Sequence, residues 1–574
     1  MSKKFHKYAL ISILVVSAIL RIWNLGLGDP INDEVLIAFR ALGLIDFDAA
    51  EFQTTPFEWF DIANGTISHS GIPSWAKFSF HDHPPFAFWI QHIFLTIFGT
   101  AVWAFRLPSA LFGIASVYLL YKLGKSLFNK NIGLLSALFI GITVNHVHMS
   151  RVGMQEAYVI FFIILTAYLY TLSINKNPKW FIAAGISMGF AFLTKYTAFL
   201  LIPWLIIHLA ISKPRLFKNK NLWIGILLSI TVFSPVILYN LALYNATGHF
   251  DFQFSYLFGQ HPEVWQKAPG KEIGSVGNRF SNFFAWIKDI NSLPYLILGF
   301  LSFLWIGFEC VKKNKRAPKE KLFILLGALI TFLYIIFITG PAYRFLSMLT
   351  PFFAIFIALG IEKLQTLIKK EFLFKGILGI FIAFELLNTA NSQLLAYPKE
   401  SNILFTTKIR DDKYSWGYNE LETFLKTELQ ETYPAVIFNK KYAFLENLQK
   451  IGVTRAKVKN YKSYPALFIY DHDIFNFAQL WSYDRRFMYE GWPFIPTEEY
   501  YKLLEQYGQD YLKKSGFHNY YFIIPTKALE LRRMTPITTL GPALEDELIS
   551  QGKEPIEIKD PKGDTVFHVY KWSD

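Results

Sequence analysis

Cysteine is almost absent from this sequence of 574 residues, since Cys310 is the only one. A single cysteine cannot form an intrachain disulfide, and it also excludes a cysteine-rich metal site. The sequence shows no internal repeat and no low-complexity tract, so a repeat architecture is not expected. Charged residues are sparse at 18% of the chain, whereas hydrophobic residues reach 52%. This balance indicates a membrane protein.

Apolar runs of bilayer length recur along the chain. The N-terminal run MSKKFHKYALISILVVSAILRIW is positive and then apolar like a signal peptide, but it lacks a small-residue cleavage motif, so we expect a retained first helix. The sequence predicts a polytopic α-helical membrane protein with about eleven transmembrane helices. The segments lie near residues 8–26, 104–122, 131–149, 155–173, 179–195, 196–212, 221–244, 293–311, 321–339, 345–362 and 376–393.

The net charge of +13 lies in short Lys and Arg clusters between apolar segments, which excludes nucleic acid as an expected partner. A further apolar run at 86–99 is short and contains Gln91 and His92, so we expect an interfacial or re-entrant helix. With a cytoplasmic N-terminus, the inner loops then hold about 22 Lys and Arg in roughly 60 residues, against about 10 in roughly 145 outside. This asymmetry predicts an integral protein of the cell's inner or plasma membrane with an extracytoplasmic C-terminus.

The chain changes character near residue 400. Apolar pieces such as ALFIYD and YYFIIP alternate there with helical patterns such as YNELETFLKTEL. We therefore predict a transmembrane domain at 1–395 and a soluble extracytoplasmic α/β domain at 396–574. Within the first domain, we expect an outer loop with interfacial helices at 26–103 and another outer loop at 245–292.

Unusual polar residues fall on the predicted outer face. Ionisable groups at a membrane edge cost up to roughly 3 kcal/mol each, so a cluster there is a candidate functional site. Each also has a simpler explanation, because an acidic pair can begin a helix in water and isolated cations can reach lipid headgroups. The residues concerned are Asp33, Glu34, Asp82, His83, His146, His148, Arg151, Glu156, Lys195 and Arg344.

A metal site is the less favoured interpretation of the segment HDHPPFAFW. His81, Asp82 and His83 are all of zinc-ligand type, but their spacing is unlike that of common hydrolytic sites and no fourth ligand is evident. No cofactor is therefore predicted with certainty.

The 245–292 loop places glycines beside Lys267, Lys271 and Arg279, which suits a mobile cover that approaches a phosphate.

Several motifs resemble those of a known family. The acidic pair after the first helix, HPP followed by FG, RLPSALFGIASVYLLYKLGKSLF, MSRVGMQEAYVIFFIILTAYLY, GFAFLTKYTAFLLIPW and YRFLSMLTP are similar to the GT-C glycosyltransferases of the protein O-mannosyltransferase and aminoarabinose-transferase group. The resemblance runs in order from about residue 8 to 365. It implies a GT-C fold, a polyprenyl-phosphate-linked sugar as donor, and an active site beneath the first outer loop.

The resemblance also implies roles for single residues. Asp33 would be the catalytic carboxylate with Glu34 as its neighbour, Asp82 a second carboxylate, and His83 a contact to the lipid headgroup. Many members have Glu-Lys or Lys-x before the two prolines, where this chain has Asp82-His83, so a weaker and pH-dependent phosphate contact is expected from His83.

The chemistry of the donor suggests the remaining roles. Its lipid phosphate is already a good leaving group, so the enzyme must mainly deprotonate an acceptor hydroxyl and neutralise the departing phosphate. We predict Asp33 as the base and Lys195, Arg344 and Arg151 as phosphate ligands, with Lys271 and Arg279 approaching from the loop. The acceptor is left open between protein, lipid and polysaccharide.

Two functions that involve no catalysis are alternatives to a glycosyltransferase. A transporter or flippase for the lipid-linked sugar would show ionisable residues near the bilayer midplane and broken helices in two related halves, and neither is expected from the sequence. A receptor for cell-envelope glycans would use the aromatic residues of the C-terminal domain.

Overall fold

A computed structural model of the chain describes residues 3–46, 73–260, 274–312, 319–399, 407–410, 415–438, 443–473, 477–530 and 539–573. The chain forms two compact units. The first comprises Met1–Leu27 and Trp75–Asp411, and the second comprises Gly28–Ser74 and Asp412–Asp574. The division after Asp411 differs from the predicted one after residue 395, and Gly28–Ser74 groups with the C-terminal unit.

The described part of the first unit is helical. Its α-helices, numbered with α2 reserved for the second unit, are α1 Lys3–Ile22, α3 Phe86–Phe98, α4 Val102–Leu127, α5 Lys130–Ile142, α6 Val144–Arg151, α7 Glu156–Asn175, α8 Trp180–Thr194, α9 Leu201–Ser212, α10 Lys220–Thr247, α11 Phe252–Leu257, α12 Val276–Asp289, α13 Leu293–Val311, α14 Lys319–Tyr334, α15 Tyr343–Leu346, α16 Thr350–Leu367 and α17 Glu371–Leu394. Short 3₁₀ turns lie at Ser74–Lys77, Tyr196–Leu200, Pro214–Lys218 and Ser347–Leu349, and a π turn lies at Ile335–Thr339.

Eight of the described helices are long and apolar enough to cross a membrane. Helices α5 and α6 meet at a bend of 60° and would make a ninth span if they cross together. The fold of a polytopic helical membrane protein is thereby confirmed. The predicted count of eleven depends on two shorter apolar helices, Trp180–Thr194 and Tyr196–Ser212. At 1.5 Å per residue, these fall short of a hydrocarbon core about 30 Å thick.

Helices α8 and α10 approach each other closely because glycine lines their contact. A Cβ atom on Gly185 would lie 2.0 Å from the carbonyl oxygen of Gly225, and one on Gly225 would lie 2.3 Å from that of Phe181. Small residues of this kind allow backbones to pack closely where lipid supplies no hydrophobic driving force. The close contact lies along α8, whose last residue, Thr194, directly precedes Lys195.

The second unit contains α2 Asn32–Gly43 and, beyond residue 412, an α/β arrangement. Its strands are β1 Thr432–Pro434, β2 Lys462–Tyr464, β3 Ala466–Tyr470, β4 Phe494–Pro496, β5 Asn519–Pro525, β6 Ile556–Lys559 and β7 Thr565–Ser573. Its helices are α18 Tyr418–Glu428, α19 Ala443–Val458, α20 Phe477–Gln479, α21 Thr497–Tyr507, α22 Tyr511–Lys514, α23 Lys527–Glu530 and α24 Gly541–Ser550. Two π turns lie at Leu480–Asp484 and Arg486–Glu490.

Five of these strands form one sheet in the order β4-β3-β5-β7-β6. β3 pairs in parallel with β4 and β5, whereas β7 pairs antiparallel with β5 and β6. Phe468 and Tyr521 pack into one buried cluster, and their neighbours Leu467 and Phe522 pack into another. Both faces of the central strands are therefore covered, which explains why ALFIY and YYFIIP are apolar without alternation.

Candidate functional site

A buried ion pair anchors the first cation of the candidate site. Lys195, directly after α8, is hydrogen-bonded through Nζ to Oε1 of Glu156, the first residue of α7. Both side chains are almost fully buried. The second carboxylate oxygen of Glu156, Oε2, has no hydrogen-bond partner among the described residues. The pair is thus internally neutral, and Lys195 keeps two ammonium protons for another partner.

Arg344 is the second cation, and it shares an aromatic neighbour with Lys195. The Arg344 guanidinium carbon lies 5.0 Å from the centre of the Phe345 ring, and Lys195 Nζ lies 5.3 Å from the same centre. We call Lys195, Glu156, Arg344 and Phe345 the Phe345 cluster. The structure thereby brings together two sequence-predicted phosphate ligands that are 149 positions apart in the chain.

The Asp82 loop precedes α3 in the same unit. Asp82 Oδ1 lies 3.0 Å from His83 Nδ1 and 3.9 Å from His81 Nε2. His81 is fully buried, whereas Asp82 and His83 are partly exposed. The His81 carbonyl accepts a hydrogen bond of 2.7 Å from the Phe252 amide. The loop is therefore held from the start of α11.

Asp251, which no sequence motif marks, organises this region. Its carboxylate accepts hydrogen bonds from the Tyr196 hydroxyl at 3.0 Å, the Asn240 amide at 3.0 Å and the Phe254 backbone at 2.8 Å. Burial raises the pKa of Asp251 to about 6, against the effect of these hydrogen bonds. Tyr196 lies within electrostatic reach of Asp82. Asp251 therefore links the Asp82 loop to the residue that follows Lys195.

The acidic pair Asp33-Glu34 lies in the second unit, in the first turn of α2. Glu34 is buried, and its carboxylate accepts the Ile31 amide at 3.0 Å, so it caps the helix. Asp33 is the partly exposed member of the pair. The two acids that look equivalent in sequence thus have different surroundings, and Asp33 is the better placed to meet a substrate.

A further buried acid, Asp29, holds the same segment. It accepts hydrogen bonds from the backbone amides of Trp416 at 2.6 Å and Asn419 at 2.9 Å, at the start of α18. Burial raises the pKa of Asp29 to about 7. This acid ties the segment before α2 to the C-terminal part of the second unit.

The structure places the three other residues that were predicted to bind phosphate in different surroundings. Arg151 is buried and donates to the carbonyl oxygens of Leu20, Trp23 and Asn24 at 2.9–3.0 Å, so it caps the end of α1. Arg279 donates to the carbonyls of Gly274 and Ile336. These contacts account for both arginines without a ligand. Lys271 lies outside the described residues, as does Lys267.

The metal candidates give no complete ligand set in the part of the chain that the structure describes. No group of three His, Cys, Asp or Glu side chains is arranged there to hold a metal ion. His81, Asp82 and His83 remain neighbours, with the distances given above.

The fold matches that of a known class of membrane enzymes. The chain is similar to ArnT from Cupriavidus metallidurans bound to undecaprenyl phosphate, with a TM-score of 0.54 and 13% identity, and the match covers 100% of this chain and 98% of that one. The apo form of the same protein gives a TM-score of 0.51. The fold of the chain is thus that of a GT-C glycosyltransferase.

Sequence comparison identifies the group more closely. A family model described as dolichyl-phosphate-mannose-protein mannosyltransferase matches residues 82–239, which include Asp82, His83 and Lys195. The YkcB protein of Bacillus subtilis is 27% identical over 245 residues, or 40% of this chain and 31% of that protein. The undecaprenyl phosphate-alpha-4-amino-4-deoxy-L-arabinose arabinosyl transferase of Wigglesworthia glossinidia brevipalpis is 27% identical over 157 residues, or 26% of this chain and 28% of that protein.

These matches agree with the resemblance to GT-C glycosyltransferases that the motifs predicted, and the structural match extends that likeness to the fold. The matched region spans less than a third of either relative.

Proposed function

We propose that the chain transfers a sugar from a polyprenyl-phosphate-linked donor to a hydroxyl acceptor on the extracytoplasmic face of the membrane. The observation that carries this proposal is the Phe345 cluster, where Lys195 and Arg344 lie against one aromatic ring. Two cations at one place suit a phosphate, since charge-assisted hydrogen bonds to phosphate oxygens are among the strongest in proteins. The ArnT structure that shares the fold contains undecaprenyl phosphate.

The charges of the cluster suit a departing phosphate. Glu156 neutralises Lys195 and fixes its position, so the net positive charge of the cluster comes from Arg344. As the bond between sugar and phosphate breaks, negative charge grows on the phosphate oxygens. Donors already held in place stabilise that charge without reorganisation, which is the largest contribution in many enzymes.

Asp33 is the proposed general base that deprotonates the acceptor hydroxyl. Glu34 is unsuited to this role because its carboxylate already accepts the Ile31 amide at the start of α2. Asp82 is the alternative base, although His83 lies 3.0 Å from its carboxylate. General-base assistance is typically worth about 10² to 10⁴ in rate. A divalent metal remains the less favoured addition to this mechanism.

Asp33→Asn tests the proposal, with Glu34→Gln as the matched control. Asparagine keeps the shape of the side chain and removes the basic carboxylate. We expect a loss of at least about a hundredfold in transfer rate for Asp33→Asn, while Glu34→Gln, which still offers an oxygen to the Ile31 amide, keeps most activity. Near-normal turnover of purified Asp33→Asn would move the role of base to Asp82.

The product is identified in cells. Mass spectrometry of glycolipids and glycoproteins is compared between cells with the gene, without it, and with the Asp33→Asn form at equal membrane abundance. A sugar-modified protein, lipid or polysaccharide should disappear in the second and third cases. An unchanged set of products in the deletion strain would refute the transfer activity.

Two observations favour the transporter alternative, namely a broken helix and a buried acid, Glu385, in the middle of a predicted span. The sequence suggested no broken helices, yet α5 and α6 are bent by 60° at Thr143. No second bent pair of this kind was found among the described helices, so the two related halves of a transporter are not evident there. If the chain only moved the lipid-linked sugar, Asp33→Asn would leave the movement of donor across vesicles and the final product intact.

A further inference from the structure

A polar face inside the membrane-spanning part is not used by the proposed mechanism. Five polar residues of α17 follow the spacing i, i+3, i+4, i+7 and i+8, which places them on one side of the helix. All five are buried, whereas Ile380 and Leu387 on the same helix are exposed. The helix therefore turns its polar side inward, as membrane proteins do where polar groups have a function. The five are Glu385, Asn388, Thr389, Ser392 and Gln393.

Glu385 is the acid of this face. Its Oε1 accepts a hydrogen bond from the hydroxyl of Ser292, the N-cap of α13. Its Oε2 is buried and has no hydrogen-bond partner among the described residues. Within the described chain, no lysine, arginine or histidine forms an ion pair with it, whereas the other buried acid of the membrane-spanning helices, Glu156, is paired with Lys195.

Other buried polar groups lie near this carboxylate. Both polar atoms of the Asn388 amide are buried and lack a hydrogen-bond partner in the described residues, and the buried hydroxyls of Tyr295 and Thr143 lie within reach of each other. Asn388 lies one helical turn from Glu385, and Tyr295 interacts electrostatically with Glu385 beside Thr143. We call Glu385, Asn388, Ser292, Tyr295 and Thr143 the Glu385 cluster. Unpaired polar atoms buried among membrane-spanning helices are unfavourable, so the cluster is a candidate site for a polar or charged ligand.

The neighbouring helix break does not supply that occupant. The Thr389 hydroxyl donates to the Ile142 carbonyl at 2.6 Å, and Arg21 donates to the Gly141 carbonyl at 2.8 Å. The carbonyls freed by the bend between α5 and α6 are thus already satisfied by side chains. Oε2 of Glu385 itself still lacks a hydrogen-bond partner among the described residues.

We propose that the Glu385 cluster binds one partly dehydrated monovalent cation, of the sodium or potassium class. The available ligands are hard oxygens, namely one carboxylate and neutral amide and hydroxyl groups, which suit alkali and alkaline-earth ions and do not suit zinc. A single carboxylate balances one positive charge, so a monovalent ion leaves the buried site neutral. The Asn388 amide nitrogen then donates to a water in the ion's coordination shell.

The position suggests what the ion does. It joins α17 to the N-terminus of α13 and to the bend between α5 and α6, three segments that are distant in sequence. An ion bound there stabilises the folded membrane unit, and it is separate from the phosphate chemistry of the Phe345 cluster. The proposal therefore does not depend on the transfer activity.

Thermal unfolding of the purified full-length chain tests this site. The protein is placed in nanodiscs of zwitterionic lipid at pH 8, and its tryptophan fluorescence is followed in NaCl, KCl or N-methyl-D-glucamine chloride at constant ionic strength. We expect Tm to rise saturably by about 2 °C or more with one of the alkali ions. Equilibrium dialysis with radioactive sodium or rubidium should show one bound ion per chain.

Variants assign the effect to the cluster. Glu385→Gln should abolish the response of Tm to the ion, and Asn388→Ala should raise the half-saturating concentration at least threefold. Glu371→Gln is the matched control, because Glu371 lies on the same helix but is exposed beside Lys375. It should respond as wild type does.

Three results would overturn the proposal. The first is an equal Tm of the wild-type chain in all three salts together with no bound ion. The second is loss of the response in Glu371→Gln. The third is a Tm that ignores sodium and potassium but rises as the pH is lowered from 8 to 5, because a proton on Glu385 would then fill the role. If Glu385→Gln does not fold, the dialysis and Asn388→Ala still decide.

Discussion

Replacement of Arg344 by glutamine separates donor recognition from folding. Arg344 lies against Phe345, and a cation beside an aromatic ring contributes about 0.5–2 kcal/mol. A hydrogen bond to a charged group is worth about 1.5–3 kcal/mol, which corresponds to roughly 10-fold to 150-fold in affinity. Arg344→Gln should therefore weaken the binding of undecaprenyl phosphate by that factor while the fold survives. Displacement of a radiolabelled polyprenyl phosphate in detergent measures it.

Lys195→Gln should behave differently because of its partner. Removing this cation leaves the Glu156 carboxylate buried without a countercharge, which costs about 3–5 kcal/mol. The single variant should thus lose both stability and affinity. The double variant Lys195→Gln with Glu156→Gln removes the buried charge, so it should recover Tm but not donor affinity. This comparison assigns the loss of affinity to the missing ammonium group.

Two outcomes would refute this reasoning. Unchanged donor affinity in Arg344→Gln and in the double variant would leave the two cations with a purely structural role. Recovery of both Tm and affinity in the double variant would show that Lys195 only neutralises Glu156.

Three further predictions concern the fold, the pH dependence and the topology. Gly185→Ala should destabilise the chain by at least about 1–3 kcal/mol, because its Cβ would meet backbone, whereas Gly376→Ala, with no atom within 4 Å, should not lower Tm. The Asp251 carboxyl has a pKa of about 6 in the folded chain, against about 3.9 in the unfolded chain. Its contribution to the free energy of unfolding is therefore fully present below about pH 4 and is lost as the pH rises through 6. The unfolding free energy of wild type relative to Asp251→Asn should accordingly fall by up to about 3 kcal/mol between pH 4 and 7, and a constant difference would contradict the assignment. With the native cysteine replaced, a cysteine at Gln506 should react only with reagent outside the cell and one at Lys218 only with reagent inside, and the reverse pattern would overturn the topology.

The positions of the helices could be predicted from the sequence because each depends on the apolar residues of its own segment. Each of the eleven predicted apolar segments coincides with a described helix or bent pair, since a run of apolar residues determines the helix that lipid favours. The ends were less accurate. The sequence predicts one span at 131–149, whereas the chain is bent by 60° at Thr143, where a polar run begins.

The site was predictable only in part, because its contacts join distant segments. Lys195 and Arg344 were identified as isolated cations, yet their common neighbour Phe345 was not visible in a pattern of apolar residues. Arg151 is likewise an isolated cation in the sequence, but the carbonyls that it caps belong to a helix more than 120 positions earlier. Side-chain type indicates which residues need a partner, and only the fold decides whether that partner is protein or ligand.

The acids missed from the sequence illustrate two different cases. Asp251 lies in the predicted outer loop 245–292, where an acid is ordinary, and no neighbouring residue in the sequence marks it as buried. Glu385 carried a real signal, because it is an acid in the middle of the predicted span 376–393.

The inward polar face of α17 also constrains the order in which the protein is made. On its own in lipid, a helix with a central acid and nearby amides is poorly retained, since an acid at mid-span costs about 2.5–3.5 kcal/mol on insertion from the translocon. Ser292, which bonds to Glu385, is synthesised almost a hundred residues earlier, and the bend at Thr143 earlier still. The receiving surface is therefore in the bilayer before α17 leaves the ribosome. A chain that lacked α13 would be expected to release α17 from the membrane and enter quality control during its synthesis.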